Sequence, residues 1–554
     1  MSTTITYAVL TVLPGILWLL FVRLRNWRYK AFTHLPEPGS RSLPLGHLKL
    51  IAEGFAKGDK RRHVDYVFSD IVKEGGSPDL TFIDLRPVNF GMLIVGSHYI
   101  AEQITRSSKT LPYSVEKSPT MTEGLVRLIG PKSILTEEGD AWKNLRKRFN
   151  PGFAPQHLQT LLPAIVEQTT IFMSRLDAIA ESGKECEMES LCTDVTFDII
   201  GSIVMNLRFN AQNDDLSQAH EIVKCFKELI ITYADNGRIW LWANIPVRIR
   251  RVLLSRQTDK VIKRAIQNNF DDIKAAQSTA TRQSKDRSIL ALSLQDTDIL
   301  TPEILAATAD SIKTFLFAGH DTTSILLMRT FYALSLHPKC LAKIRAEHDA
   351  IFGSDDPRDV FLARPEETLK ALTYTSACMK EVLRLWPPAG SARLAKPGSG
   401  FSIRTEEGEE YNVDGLVLYI CHYIIQRDPK VYGETADDFV PERWLGDTDT
   451  SSAQKDEATG SGTIPLGAWR PFERGPRNCV GQELANIEAR VILASVIRRY
   501  DFVKVGAGEV EVNEKGSPVL DEKGRYRTKS DLFNSMVVTA KPFDHMRMKV
   551  KLRN

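Results

Sequence analysis

The most informative stretch of this chain is PFERGPRNCVGQELA, which runs from Pro471 to Ala485. Glycine and proline in its first half predict a tight loop, and the apolar spacing after Leu484 predicts a helix that reaches Ile497. The loop therefore places Cys479 beside a helix N-terminus. Free backbone N–H groups and the positive end of the helix dipole favour a thiolate there.

The residues around Cys479 suit a flat, anionic ligand. Gly475 permits a tight turn without a Cβ clash, and Gly481 lets a flat group approach the backbone. Arg477 is placed to pair with an anionic group of the same ligand, and Phe472 to shield the sulfur from water. An isolated cysteine is more often an inert core residue. The complete pattern Phe-x-x-Gly-x-Arg-x-Cys-x-Gly argues against that interpretation.

This loop resembles the haem-binding loop of cytochrome P-450 monooxygenases. The resemblance implies that Cys479 is the axial thiolate ligand of the iron of haem b, with Phe472, Arg477 and Gly481 as further haem-binding residues. It also implies the cytochrome P-450 fold, which is mainly α with small β-sheets in a single large domain.

A second stretch, KEVLRLWPP at Lys380–Pro388, places Glu381 and Arg384 on one helix face. Such pairs are common on solvated helices and are uninformative alone. The Trp-Pro-Pro that follows makes this pattern specific. The stretch resembles the K-helix signature of the family, and Arg443 within PERW (Pro441–Trp444) supplies the third member. The resemblance implies a structural triad behind the haem, with no direct role in the chemistry.

A long helix is predicted from Thr301, a good N-cap before a proline, to about His337. Its centre, AGHDTTS at Ala318–Ser324, resembles the family's I helix over the distal haem face. The resemblance implies that Thr322 donates a hydrogen bond over the haem and that Asp321 relays protons from solvent. These two residues are the candidate catalytic pair, and ordinary helix polarity is the alternative.

The stretch WKNLR resembles the family's C helix, in which Trp142 and Arg146 reach a haem propionate. The resemblance also favours Arg393 on the other propionate. Lys143, Lys147, Arg148 and Arg474 are candidates for a basic face that binds an acidic electron donor. The expected substrate pocket comprises Phe315, Ala318, Thr322, Ala389, the Met121–Ile129 region and Ser535–Val538.

The N-terminus predicts a membrane anchor. Residues 5–22 are uncharged, and a helix of that length spans about 27 Å, enough for a bilayer core. Basic residues follow this run and none precedes it, which places the rest of the chain in the cytosol. A secretory signal would need a basic n-region and a cleavage site, which are not evident.

We therefore expect a single-pass protein of the endoplasmic reticulum membrane. Residues 1–4 are a short lumenal N-terminus, 5–22 the transmembrane anchor, 23–46 a basic, Pro-rich linker and 47–554 the haem-thiolate catalytic domain.

Composition excludes several classes of protein. The 554 residues include 43% hydrophobic and 25% charged residues, so the chain is not wholly disordered. A net charge of +3 gives no support for a nucleic-acid partner. The 7 cysteines are scattered, which excludes a disulfide scaffold and a Cys-x-x-Cys metal cluster.

The resemblance implies a monooxygenase that inserts one oxygen atom of O2 into an apolar small molecule. Electrons come from NADPH through a separate cytochrome P-450 reductase, with cytochrome b5 as a further candidate partner. The chain resembles filamentous-fungal members that serve secondary metabolism, such as the mycotoxin polyketide pathway to sterigmatocystin; a terpenoid substrate is equally open.

Three alternatives remain open on the sequence. The chain is a xenobiotic or fatty-acid hydroxylase of the same family, a P-450-fold isomerase or dehydratase that acts on a peroxide, or a membrane-anchored binding protein without catalysis.

Overall fold

The computed structural model describes residues 2–109, 111–234, 244–278, 286–445, 464–536 and 538–553, without the side chains of 2–12, 234 and 276–278. Helices dominate these ranges, and short strands form four small sheets within them. The prediction of a mainly α fold with small β-sheets is confirmed.

The helices fill most of the chain after the N-terminal segment. In chain order they are α1 (Ser2–Tyr29), α2 (Leu48–Ala56), α3 (Val64–Gly75), α4 (His98–Thr105), α5 (Pro119–Ile129), α6 (Gly139–Phe149), α7 (Pro155–Thr160), α8 (Leu162–Ser182), α9 (Met188–Met205), α10 (Glu221–Ala234), α11 (Ile245–Ser278), α12 (Ile289–Leu294), α13 (Pro302–Leu336), α14 (Pro338–Phe352), α15 (Pro357–Ala363), α16 (Pro365–Ala371), α17 (Thr373–Leu385), α18 (His422–Ile425), α19 (Pro429–Tyr432) and α20 (Gln482–Val496).

The strands are short and come from distant parts of the chain. They are β1 (Leu80–Asp84), β2 (Gly91–Val95), β3 (Glu116–Lys117), β4 (Glu185–Glu187), β5 (Ser391–Leu394), β6 (Ser402–Arg404), β7 (Glu410–Asn412), β8 (Val417–Ile420), β9 (Tyr500–Lys504), β10 (Asn534–Met536), β11 (Ala540–Pro542) and β12 (Arg547–Leu552). The largest sheet has the order β1-β2-β8-β5-β3, and only its β2–β8 pair is parallel. The others are β4-β12-β9, β6-β7 and β10-β11.

The long helix α13 forms the centre of the main hydrophobic core. Thr301 caps its N-terminus by accepting a hydrogen bond from the backbone N–H of Ile304 at 3.3 Å, as the Thr-Pro start predicted. Most of its side chains are buried, but Ala318 is exposed, and Gly319 and Thr322 are half-buried. One stretch of the central helix therefore borders an open space inside the protein.

The first helix continues past the predicted anchor and ends at Tyr29. Its last turn is fixed to the body of the protein by Arg28, whose guanidinium forms a buried ion pair with Asp84 at 2.8 Å. The same guanidinium donates hydrogen bonds to the carbonyl oxygens of Leu43 at 3.0 Å and Arg86 at 2.8 Å. The first part of the predicted linker is thus helical and packed against β1.

The membrane anchor predicted at residues 5–22 is not confirmed. In the described part of the chain, no helix combines the length and the apolar character needed to cross a bilayer. The side chains of residues 5–12 of the predicted segment lie outside the described residues.

Candidate active site

The loop before α20 holds Cys479 by its own backbone. The backbone N–H of Cys479 donates to the carbonyl oxygen of Phe472 at 2.9 Å, and that of Asn478 donates to Gly475 at 3.1 Å. Gly475 has a φ of 74°, and a Cβ there would lie 2.0 Å from the carbonyl oxygen of Thr105. Only glycine fits this turn, as the sequence pattern predicted.

The Cys479 sulfur faces an open cavity at the start of α20. The cavity has a volume of about 410 Å³, and Arg146, Phe153 and Glu483 are among its lining residues. Burial raises the pKa of the Cys479 thiol, although Arg146 and the backbone N–H of Gly481 act to lower it. The Cys479 side chain is exposed on the side that faces the cavity, and protein surrounds it on its other sides. The helix terminus and Arg146 therefore do not offset burial, and the pKa of the thiol lies above its ordinary value.

Arg146 and Arg477 lie beside the loop and are both held by protein partners. Arg146 donates to the carbonyl oxygen of Asn478 at 2.7 Å and to its side-chain oxygen at 2.8 Å. Arg477 pairs with Glu138 at 2.8 Å and stacks over the ring of Trp142, with 4.7 Å between the guanidinium carbon and the ring centroid. Burial lowers the pKa of Arg477 to about 10.

Arg393 lies on β5 and is fully buried. Its Nη1 donates to the carbonyl oxygen of Val115 at 3.1 Å, but its Nε and Nη2 have no hydrogen-bond partner among the described residues. The pairing of β3 with β5 places Lys117 opposite Arg393. Burial lowers the pKa of Lys117 well below its ordinary value, and the charge of Arg393 lowers it further. An anion bound here would relieve both groups.

Glu381, Arg384 and Arg443 form the predicted triad. Arg384 donates two hydrogen bonds to the Glu381 carboxylate in a bidentate contact, at 2.8 and 2.9 Å. The Nε of Arg443 lies 3.1 Å from Oε1 of Glu381. The indole N–H of Trp444 also donates to Glu381, at 2.9 Å. Glu381 and Arg384 are completely buried. This arrangement holds the end of α17 against the Pro441–Trp444 turn.

The two candidate catalytic residues of α13 face different surroundings. The hydroxyl of Thr322 donates to the carbonyl oxygen of Ala318 at 2.8 Å, on the part of the helix that borders the open space. Asp321 is buried and pairs with Lys541 at 2.6 Å, while the hydroxyl of Thr539 donates to its other oxygen. Burial acts to raise the pKa of Asp321, but Lys541 and His320 outweigh it, so the pKa is lowered and the group is a carboxylate.

The model of the family described as "Cytochrome P450" matches residues 84–528 of this chain. The chain belongs to the cytochrome P450 family. It is 32% identical over 437 residues to cytochrome P450 monooxygenase acrF of Aspergillus aculeatus, covering 76% of this chain and 84% of that protein. It is 28% identical over 502 residues to cytochrome P450 monooxygenase polC of Polytolypa hystricis, covering 86% and 84%.

A third relative joins two activities in one chain. The bifunctional cytochrome P450/NADPH–P450 reductase of Gibberella moniliformis is 26% identical over 493 residues, covering 85% of this chain and 38% of that protein. Membership of the family makes this protein an oxygen-dependent monooxygenase with a haem-thiolate cofactor, supplied with electrons from NADPH through a reductase.

The residues of this P450 fit haem b. The group offers iron to a thiolate and two carboxylates to cations, and the site presents Cys479 together with four cationic side chains. Among these, Arg393 has buried donors without a partner and Lys117 is strongly desolvated, which suits the carboxylates. The four cationic side chains are Lys117, Arg146, Arg393 and Arg477.

The other residues predicted from the sequence are placed as follows. Phe315 is buried, with its ring 5.0 Å from those of Phe149 and Phe153, the second of which lines the cavity at Cys479. Ala389 is exposed between α17 and β5, and Phe472 is half-buried. Gly481 immediately precedes α20.

The described parts of Ser535–Val538 belong to the β10–β11 hairpin, and Val537 lies outside the described residues. Lys117 and Lys541 were missed by the sequence analysis. Neither lies in a motif, and each reaches the site through strands far away in the chain.

Proposed function

We propose that this P450 is a monooxygenase of fungal secondary metabolism that oxidises an apolar small molecule of polyketide or terpenoid type. The observations that carry the proposal are the open cavity at Cys479 and the accessible side chains of Ala318 and Thr322 on the otherwise buried helix α13. Small side chains there leave room for substrate beside the cofactor. The two fungal monooxygenases similar over most of the chain support the fungal setting.

Each residue of the site then has a defined task. Haem, when bound, would supply the activation of dioxygen and the insertion of one oxygen atom. Cys479 would ligate its iron, and Arg393, Lys117, Arg477 and Arg146 would hold its carboxylates.

The candidate pair on α13, Asp321 and Thr322, would deliver protons. Thr322 keeps its hydroxyl proton on the carbonyl oxygen of Ala318 and can turn it toward the open space. Asp321 is the ionised acceptor that brings protons to this part of the helix.

The expected electron donor is a separate NADPH–cytochrome P450 reductase, with cytochrome b5 as a second donor. Lys143 and Lys147 are exposed on α6 next to the Cys479 loop and suit an acidic partner. The other two basic residues suggested by the sequence are engaged within the protein. Arg148 donates to the carbonyl oxygen of Ser293 at 2.8 Å, and Arg474 to Glu102 at 2.7 Å.

We propose that α1 attaches the protein to the endoplasmic reticulum membrane, with the catalytic domain on the cytosolic side. Large apolar side chains are exposed along α1 between Leu13 and Phe21, which favours contact with lipid. The test is fractionation of cells that express the full chain or a form lacking residues 2–22. Recovery of both forms in the soluble fraction would contradict the proposal.

The function is tested by comparing metabolites of the source organism with and without the gene, using Cys479→Ala as the inactive control. A precursor one oxygen atom lighter than the missing product would establish monooxygenation and identify the substrate. A precursor that differs only by hydrogens would indicate desaturation or ring coupling instead. Identical metabolites in both strains would contradict a role in secondary metabolism.

An isomerase or dehydratase that acts on a peroxide is the main alternative chemistry. Such an enzyme needs neither a proton-delivering pair on α13 nor a reductase. The Asp321–Thr322 pair argues against it. Product formation by the purified protein without NADPH and reductase would favour it over the proposal.

A further inference from the structure

Asp321 is the inner end of a continuous chain of charged groups. Its carboxylate lies 2.6 Å from the ammonium group of Lys541. Lys541 lies 3.3 Å from the carboxylate of Glu189, and Glu189 lies 3.1 Å from Nδ1 of His545. These contacts join the central helix α13 to β11, the start of α9 and the segment before β12.

The chain leads steadily from the interior to solvent. The exposed fraction of the side chain is 3% for Asp321, 10% for Lys541, 18% for Glu189 and 62% for His545. A path for protons needs a titratable group at the surface and an unbroken series of donors and acceptors inside, and both are present here.

The backbone fixes the outer part of this chain. The backbone N–H of Glu189 donates to the carbonyl oxygen of His545 at 3.2 Å, and that of Met188 donates to Met546 at 3.2 Å. β4 also pairs with β12 directly next to these contacts. The carboxylate of Glu189 is therefore held between Lys541 and His545.

We propose that His545, Glu189 and Lys541 form the route by which protons from solvent reach Asp321. The inference rests on the proposed role of Asp321 in bringing protons to α13. It assigns to the chemistry three residues that lie outside the recognised motifs. Lys541 acts on Asp321 directly, while Glu189 and His545 act through Lys541.

The proton balance of the route closes. Lys541 gives one N–H proton to Asp321 and takes one from Glu189, which has received a proton from His545. His545 then takes a proton from water. Lys541, Glu189 and His545 each end with their starting charge, and one proton has moved from solvent to Asp321.

The charged groups around the route hold its members in their charged forms. His545 faces Glu189, Glu187 and Asp544, and its hydrogen bond to Glu189 raises its pKa. Lys541 faces the acidic partners Asp321 and Glu189, which raise its pKa, and Glu189 faces Lys541 and His545. Asp321 also faces His320 and Thr539. The surface end of the route therefore binds a proton readily, and the inner end is held as a carboxylate.

The first experiment follows oxygen consumption by the holoenzyme with NADPH and a cytochrome P450 reductase, in H2O and D2O across a pH series. Glu189→Gln and Lys541→Met are expected to slow consumption several-fold and to enlarge the solvent isotope effect. In the wild type the rate should fall as pH rises through the pKa of His545, and His545→Gln should remove that step. Glu181→Gln is the matched control, because Glu181 is exposed at the end of α8 and forms no link in the route.

The second experiment needs no turnover. In protein with 13C-labelled histidine, Glu189→Gln should lower the pKa of His545 measured by NMR, and an unchanged pKa would overturn the inference even if the protein carried no haem. Normal oxygen consumption with the wild-type isotope effect in Glu189→Gln would overturn it while leaving the proposed function intact. Because Glu189→Gln preserves side-chain size, it decides the matter if Lys541→Met fails to fold.

Discussion

Arg393 shows how a single side chain can reveal the ligand of its site. A fully buried guanidinium with donors left unpaired is costly unless an anion binds it. We expect Arg393→Met to bind haem about tenfold or more weakly, because a hydrogen bond to a charged group contributes about 1.5–3 kcal/mol. The measurement is the rate at which haem transfers to an excess of a haem-scavenging apoprotein.

The matched control for that experiment is Arg404→Met. Arg404 forms a surface pair with Glu410 at 2.9 Å and is largely exposed, so its replacement should leave haem transfer unchanged. Equal transfer rates in Arg393→Met and the wild type would show that Arg393 does not hold the cofactor.

At the scale of elements, the triad joins α17 to the turn that begins at Pro441. Removing the Glu381 carboxylate leaves two buried or partly buried arginines without their anion. We expect Glu381→Ala to lower the free energy of unfolding by about 3–5 kcal/mol. Glu366→Ala breaks an exposed pair with Lys370 that solvent screens, so it should change the free energy of unfolding far less. Urea unfolding compares the two, and similar costs would contradict the structural role of the triad.

The contact between α1 and β1 is expected to depend on pH. Burial acts to raise the pKa of Asp84, but Arg86 and Arg28 outweigh it and hold the pKa at about 2. A carboxyl with a lowered pKa stabilises the folded state above its unfolded pKa, and this contribution disappears as pH falls toward the folded pKa. Asp84→Asn should therefore cost about 2 kcal/mol at neutral pH and about half of that at about pH 3.

Urea unfolding of the wild type and Asp84→Asn at the two pH values measures this difference. A cost that stays constant as the pH falls would mean that Asp84 does not act through its charge.

Local motifs account for the parts of the fold and site that the sequence predicted. The turn at Gly475, the start of α13 at Pro302 and the Glu381–Arg384 pair each depend on residues close together in the chain. Lys117 and Lys541 reach the site by strand pairing between distant segments, which residue spacing does not encode. Arg28 looked like a basic flank of a membrane segment, but its partner Asp84 places it inside the protein.

Considered as a whole, the molecule places its cofactor loop beside an exposed basic pair. Electrostatic attraction between this face and an acidic reductase should speed association. We expect the double variant Lys143→Glu and Lys147→Glu to need several-fold more reductase for half-maximal turnover, with the difference shrinking at high salt. Lys49→Glu, at an exposed site on α2, is the control. The proposed docking face is wrong if the double variant titrates like the control.

The proposed chemistry depends on a bond between the sulfur of Cys479 and the iron of haem. Iron-edge X-ray absorption of the purified holoenzyme tests it most directly, because sulfur and nitrogen scatter differently at bonding distance. The wild type should contain one sulfur in the first coordination shell of iron, and haem-reconstituted Cys479→Ala should contain none. A first shell of nitrogen and oxygen alone in the wild type, or a sulfur that persists in Cys479→Ala, would contradict the account.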